Sequence, residues 1–441
     1  MERAKHFARH IAHVQGIYEQ ALATLSEEAQ QMDAVLIHSG SEGIYFGDDR
    51  HIYFQAFGHF NHWVPLNRPD QMVLIQPGKK PTYFQVVRPD FWYDQTVHNE
   101  AWWADAFEIV SLTAPEQVVD HLPATRRIAF LGENLPFAAQ IGMPSNLHNE
   151  KNLLNYLDYY RGMKTDYEVG ELREANRIAM LGHEAARKSF FEHGSEYDIN
   201  QAFLAATSML ETDSPYTNIV GLDRNAAILH YQYKQRDNGR ESKTLLIDAG
   251  SVSNRYCSDI TRTYTRDDSH PVFRAIMEGI ERLQLALVDH AKIGSPYKEL
   301  QAAAHDGVLD LLLQHEIVRG NREELSEHNQ VSRLFFPHGI GHLLGLQVHD
   351  VGGFFKDDHG ALAPPPEDHK FLRLNREMKQ GMVFTIEPGL YFIPVLLDPE
   401  RNSDLGKNLN WSLIDALIPY GGARFEDNIL LGEDGPVNLT R

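Results

Sequence analysis

The chain begins with a polar helical pattern from His6 to Gln31. A short apolar segment follows, Ala34–His38, closed by Ser39-Gly40-Ser41. Met72–Ile75, Pro81–Val87 and Arg127–Leu131 suit strands through their β-branched and aromatic residues. With helical patterns between them, these segments predict a small α/β domain over residues 1–160. Trp92, Trp102 and Trp103 cluster in a Tyr/Trp-rich stretch, 91–107, and are expected to serve core or interface packing. The pattern changes at 163–166. Thr165 and Glu168 fit a capping box, starting a helix to about Glu192 with an apolar stripe of Leu172, Ala175, Ala179, Leu181 and Ala185. Gly194 ends it, and Ser195 with Asp198 caps a second helix through about Leu210. The domain boundary is expected near 160, on a helical connection, leaving 161–441 as a second domain.

From 240 onward the chain reads as β-rich with two helical insertions. Thr244–Asp248 is an apolar strand ending in an acid, and Asp259–Tyr264 alternates. Helices fit Pro271–Ala291 and Tyr297–Gln314. Strands fit Met382–Glu387 and Ala423–Leu431.

Composition narrows the class. Hydrophobic residues are 42% and charged residues 23% of 441, a globular mix. The net charge of −20 argues against a nucleic-acid or anionic-membrane binder, since phosphate is neutralised by Lys and Arg. A single cysteine, Cys257, excludes an intramolecular disulfide framework and Cys-based zinc ribbons, and is expected to be a packing residue. No signal-peptide pattern is present, and apolar runs such as Tyr391–Leu397 fall short of the roughly 20 residues that span a bilayer. A soluble, cytoplasmic protein is expected.

Four segments carry candidate chemistry. A turn between two strands can bring Asp248 and Asp259 opposite each other as buried acids that need a partner, such as a metal ion. Pro337-His338-Gly-Ile-Gly-His342 is followed by His349; the glycines argue for a loop rather than a zinc helix, and spacing does not choose among the histidines. Glu387 and Glu426 each sit in a strand of apolar residues. Together these make four carboxylates and one imidazole, a ligand set for two divalent metals. Oxygen-dominated coordination favours Mn²⁺ over zinc, with Co²⁺ and Zn²⁺ as alternatives. No nucleophile elbow, phosphate loop or dinucleotide turn competes.

These segments, in this order, resemble the pita-bread metallopeptidases, more narrowly the bacterial Xaa-Pro dipeptidases (prolidases), including those called organophosphorus acid anhydrolases. The likeness also runs through Leu36-Ile-His-Ser-Gly40, Asn218-Ile-Val220, Ile228-Leu-His-Tyr231 and Ile247-Asp-Ala-Gly250. It implies an α/β N-terminal domain and an α+β C-terminal pita-bread domain with a curved antiparallel sheet. It implies metal ligands Asp248, Asp259, His342, Glu387 and Glu426, with Asp259 and Glu426 bridging two ions, and attack by a hydroxide shared between them. Glu387 becomes the proton shuttle to the prolyl nitrogen, and His349 and His230 flank the substrate carbonyl. His338, Arg373 and Arg424 line the pocket, where a guanidinium suits a free carboxylate. Tyr216, Tyr297 and Leu372 match pocket-wall positions. Asp49 matches an acid that reaches the substrate amine from the partner subunit of a homodimer.

The resemblance implies hydrolysis of Xaa-Pro dipeptides, with phosphotriester hydrolysis as a side activity. Aminopeptidase P, acting on longer Xaa-Pro peptides, is the alternative within the fold; the long insert between Glu387 and Glu426 favours the dipeptidase. A non-catalytic peptide-binding relative would have lost ligands, and all five positions are filled. Two departures from the family pattern stand out: Gly47 before Asp48-Asp49, and Arg255 where small residues are usual.

Overall fold

The computed structural model describes residues 2–25, 31–124, 127–210 and 212–441. The chain divides into two compact units. One comprises Met1–Arg161, Thr165–Glu168 and Asp357–Ala361, and the other Gly162–Lys164, Val169–Lys356 and Leu362–Arg441.

The first unit is built on a five-stranded mixed sheet in the order β4-β3-β2-β1-β5. Its strands are β1 (Ala34–His38), β2 (Met72–Ile75), β3 (Thr82–Val86), β4 (Glu108–Leu112) and β5 (Ile128–Leu131). β1 lies between antiparallel β2 and parallel β5, and all five of its residues are buried, which is why it reads as an unbroken apolar run. β4 has no counterpart in the hydropathy pattern: it is an edge strand, with Glu108 and Ser111 exposed. The first helix covers Glu2–Leu25; the rest of the stretch assigned to it lies outside the described residues, apart from Gln31, which is not helical. The tryptophans diverge. Trp103 is buried, Trp102 is partly exposed and Trp92 is exposed.

The second unit contains β6 (Ile219–Leu222), β7 (Thr244–Asp248), β8 (Val252–Ser253), β9 (Tyr256–Cys257) and β10 (Thr261–Thr265). It continues with β11 (Val383–Ile386), β12 (Gly389–Tyr391), β13 (Gly422–Arg424), β14 (Asp427–Gly432) and β15 (Gly435–Asn438). All pairings are antiparallel, in the orders β10-β7-β6, β11-β14-β15, β12-β13 and β8-β9. Helices Pro271–His290 and Lys298–Gln314 pack in the largest apolar cluster with residues of β11 and β14.

Several expectations are corrected. The predicted strand Ala423–Leu431 is two strands, β13 and β14, separated by Phe425-Glu426. β13 pairs with β12 and β14 with β11, while Glu426 makes its own bridge to Thr261, so the chain bends where it changes partner. Asp248 faces Thr261 rather than Asp259, because the β8–β9 hairpin takes up the intervening residues. That hairpin turns through Asn254 and Arg255, both with positive φ, the geometry of a two-residue type I′ turn. In the helix Asp166–Phe191, Leu181 is exposed and Ala186, not Ala185, is buried. The next helix ends at Thr207, capped by Ser208 in the left-handed region. Both predicted capping boxes form: the Thr165 amide donates to Glu168 at 2.9 Å, and the Ser195 amide to Asp198 at 3.0 Å.

Lys164 Nζ donates to Asp350 Oδ2 at 2.8 Å, with both side chains fully buried. A Cβ on Gly345 would lie 2.2 Å from that carboxylate, so only glycine fits beside the pair. Replacing Lys164 by Met leaves a buried carboxylate without this partner. A loss of about 3–5 kcal/mol is expected, measurable as a lowered thermal midpoint, with partial recovery in the Lys164→Met, Asp350→Leu double variant.

Burial and nearby His369 push the His305 imidazole down to about 3. The unfolded chain therefore takes up this proton first, near the ordinary histidine value, and stability falls as pH drops from about 6.5 toward 3. His305→Gln should flatten the pH dependence of the thermal midpoint by up to ~1.4 kcal/mol per pH unit in that window. An unchanged slope would show that His305 is not part of this acid sensitivity.

Candidate active site

Five segments of the second unit deliver carboxylates and an imidazole to one buried place. Asp248 ends β7, Asp259 precedes β10, His342 lies in the glycine-rich loop, Glu387 follows β11, and Glu426 occupies the bend between β13 and β14. Asp248, Asp259, His342 and Glu426 are all at most 8% exposed. His342 Nε2 lies 3.3 Å from Asp259 Oδ2 and 3.8 Å from Glu387 Oε1. Asp259, His342 and Glu426 offer donor atoms within 4.8 Å of one another, a spacing suited to a shared cation.

Local structure explains each position. The loop 337–350 is not helical, and its backbone passes very close to its neighbours. A Cβ on Gly341 would meet the Thr385 carbonyl at 2.2 Å and the Tyr297 hydroxyl at 2.3 Å. The Thr385 amide donates to the His342 carbonyl at 2.9 Å, and the Glu387 amide to the Ile340 carbonyl at 2.9 Å, tying the loop to β11. His342 Nδ1 lies 3.0 Å from the Leu343 carbonyl, which leaves Nε2 directed at the carboxylates.

A ring of polar side chains holds the acids. Tyr216 Oη is 2.8 Å from Asp248 Oδ1 and 2.6 Å from Asp259 Oδ1. Thr261 Oγ1 donates to Glu426 Oε2 at 2.7 Å and accepts from Arg424 Nε at 3.0 Å. Arg424 also donates to the Tyr391 hydroxyl at 3.0 Å and to Asp248 Oδ2 at 2.5 Å. Asn428 brackets the Asp259 backbone, accepting from its amide at 3.1 Å and donating to its carbonyl at 2.5 Å. Thr261, Tyr391 and Asn428 were not picked out from sequence. Their only signal there was position: Thr261 shares the face of Asp259 on an alternating strand, and Asn428 sits two residues after Glu426.

The electrostatics follow from crowding like charges out of water. Burial raises Asp248 to about 6 against the pull of Arg424, and Glu387 to about 7 against His342 and Arg424. Glu426 rises well above the carboxylate range through burial and the charges of Asp259, Glu387 and Asp248. Burial pushes Asp259 upward too, but His342 and Tyr216 outweigh it and hold the acid below its ordinary value. Burial lowers His342, and Asp259 and Glu387 more than offset it, so this imidazole rises.

The other expected site residues separate into two groups. His338 places Nε2 2.9 Å from the Tyr391 hydroxyl and Nδ1 3.7 Å from Glu387 Oε2. The His349 ring stands edge-on to His342, with centroids 4.4 Å apart. Leu372 is buried and lines a cavity of about 270 Å³ with His338, Gln301, Arg333 and Phe336. Arg373 and His230 are exposed, and both act electrostatically on His349. Tyr297 is fully buried and donates to the Thr385 carbonyl at 2.6 Å, so it braces β11. Arg424 is buried with all three guanidinium nitrogens engaged within the cluster. Asp49 lies exposed on a loop of the first unit. Cys257 is buried, with burial pushing its thiol up to about 12, which keeps it protonated and inert.

The chain matches the profile of metallopeptidase family M24 over residues 170–433 and that of the Xaa-Pro dipeptidase N-terminal domain over 5–159. It is 40% identical to the Xaa-Pro dipeptidase of Pseudoalteromonas atlantica, covering 99% of this chain and 98% of that one. It is 41% identical to the Xaa-Pro dipeptidase of Aeromonas hydrophila, covering 96% and 98%. Aminopeptidase P from Escherichia coli with the inhibitor Pro-Leu superposes with a TM-score of 0.72 at 22% identity, over 97% of this chain and 94% of that one. That superposition shows the pita-bread fold. With 40% identity across the whole length and both domains matched, the chain belongs to metallopeptidase family M24 and to its Xaa-Pro dipeptidase family.

Proposed function

We propose that the protein is a divalent-metal-dependent Xaa-Pro dipeptidase, hydrolysing the bond between an N-terminal residue and a C-terminal proline. The observation that carries this reading is the convergence of Asp248, Asp259, His342, Glu387 and Glu426 on one buried place, in a chain whose relatives are Xaa-Pro dipeptidases over their full length. The donor set fits metal ions. Four carboxylates this close cannot all be ionised out of water without compensating positive charge, and burial with their mutual repulsion raises Asp248 to about 6 and Glu387 to about 7. We assign all five as the residues that would hold two divalent ions. Oxygen-rich coordination favours Mn²⁺, with Co²⁺ or Zn²⁺ able to substitute. When bound, such ions acidify water and polarise a carbonyl.

The chain's own residues do the rest. Glu387 carries a proton to the prolyl nitrogen, a secondary amine that leaves poorly until protonated. His349 and His230 flank the scissile carbonyl; partial desolvation together with the charges of His342 and Arg373 pushes the half-open His349 imidazole down to about 4. His338 and Leu372 border the cavity that offers room for the proline ring. Arg424 is committed to Asp248, so its part is to hold that ligand, and the exposed Arg373 takes the substrate carboxylate. Tyr216 positions Asp248 and Asp259 through its hydroxyl, and Tyr297 braces the strand that carries Glu387. A tetrahedral phosphotriester can stand where the scissile carbonyl becomes tetrahedral, giving organophosphorus hydrolysis as a side activity.

The protein acts as a cytoplasmic homodimer, with Asp49 of one copy reaching the substrate amine in the other. Residues 1–160 form the dimerising domain and pocket edge, and 161–441 the catalytic domain. In support, Ile44, Tyr45, Phe46, Tyr53, Phe91 and Trp92 of the first unit are exposed, a density of large apolar side chains typical of protein contact surfaces. Among the described residues no helix is long and apolar enough to cross a membrane.

Asp259→Ala and Glu426→Ala should each abolish turnover and lower the bound-metal stoichiometry of the reloaded protein; full activity with undiminished metal would refute their assignment. Thr261→Val spares every ligand but removes the hydrogen bond to Glu426, so metal affinity or activity should fall about 10–100-fold, as read from activity against free metal concentration.

A substrate panel on stripped and Mn²⁺-restored protein tests the specificity. Xaa-Pro dipeptides should be cut and Gly-Pro-Xaa tripeptides cut poorly. Preferential tripeptide cleavage would make the protein an aminopeptidase P, and turnover that survives complete metal removal would end the metal mechanism.

A further inference from the structure

The first unit holds a second convergence of metal-type donors, unrelated to the catalytic cluster. His10 lies on the first helix, His62 just after the short helix Gly58–Asn61, and Glu168 in the first turn of Asp166–Phe191. All three belong to the first unit and are almost fully buried, at 1%, 6% and 1% exposed. One donor atom from each lies within 4.8 Å of the others.

The imidazole-to-carboxylate distances fit donors that share an ion. His62 Nε2 is 3.5 Å from Glu168 Oε1, and His10 Nδ1 is 3.7 Å from Glu168 Oε2. Both exceed the roughly 2.7–3.2 Å of an N–H···O bond. Metal bonds of about 2.0–2.1 Å at tetrahedral angles put neighbouring donors about 3.3–3.4 Å apart, close to what is seen.

Orientation agrees, and the charge of Glu168 outweighs that of the buried Arg161 at His62. His10 Nε2 sits 2.8 Å from the His62 carbonyl and so carries the hydrogen, leaving Nδ1 as the acceptor, with Thr165 Oγ1 2.9 Å from it and a rotation of that hydroxyl needed to admit an ion. A ligating histidine is commonly oriented this way, with its far nitrogen donating to a backbone carbonyl. Burial depresses both imidazoles, His10 to about 4, so both are neutral at pH 7 as ligation requires. Thr165 Oγ1, 2.9 Å from His10 Nδ1 and 3.1 Å from Glu168 Oε2, closes another side. Two imidazoles and one carboxylate, with a fourth place for the hydroxyl or a water, form a donor set suited to zinc.

We infer that the first unit contains a structural metal site of its own, in which His10 Nδ1, His62 Nε2 and the Glu168 carboxylate bind a zinc-class divalent cation. This site stands apart from the peptidase centre and does not depend on the activity proposed for it.

The test uses the full-length protein, stripped, reloaded with Zn²⁺ and freed of excess. The wild type should retain one more zinc ion per chain than His62→Gln, measured by elemental analysis, while Mn²⁺-restored dipeptide hydrolysis is equal in the two. Crystals of the zinc-loaded wild type should show an anomalous peak at the zinc edge about 2.0–2.1 Å from His10 Nδ1 and His62 Nε2. Equal zinc content in the two folded proteins would overturn the site. If His62→Gln does not fold, the wild-type map decides: a peak supports the site, and its absence reduces the cluster to a hydrogen-bonded network.

Discussion

The second unit is organised around a repulsion. Four carboxylates and one imidazole are held together out of water, an arrangement that costs free energy until cations share it. Everything near them resists that cost or directs it. Arg424 neutralises Asp248 and reaches Thr261 and Tyr391, while Tyr216 spans the two aspartates. Side chains fixed this tightly need little rearrangement to accept ions, and preorganisation of that kind makes such a centre effective.

The backbone is arranged to the same end. The four acids and the histidine come from places far apart in sequence, and the sheets bring them together because each acid sits at a strand end or bend, where side chains leave the regular alternation. Glu426 is the clearest case: the chain bends there because it passes from β12 to β11 as pairing partner. The glycine-rich loop supplies the histidine at a distance no side chain at position 341 would allow. Buried pairs such as Lys164–Asp350 anchor the other end of that loop.

The histidines show how one residue type takes several physical roles. His305 is packed and neutral, and His342 is turned toward carboxylates and rises in basicity. His10 and His62 are buried against Glu168 at the spacing of metal donors. Composition gives their number; their surroundings decide what each can do.

Much was legible from the chain alone. Continuous apolar runs marked the central strands, because a strand covered on both faces needs no polar alternation, and both capping boxes declared their helices because the caps are local hydrogen bonds. The four acids stood out because a carboxylate inside an apolar run is costly without a partner, while His342 was singled out among the histidines only by the family resemblance. What sequence did not contain was anything that depends on distant partners. The edge strand β4 looked too polar, and the break at Phe425-Glu426 lay inside a continuous apolar pattern. The engagement of Arg424 within the cluster, and the roles of Thr261, Tyr391 and Asn428, depend on contacts between residues some 30 to 180 positions apart. Residue type and spacing determined which groups could bind metal. Only the tertiary structure decided which of them share one place, because burial and proximity, which set charge and reach, are properties of the folded chain.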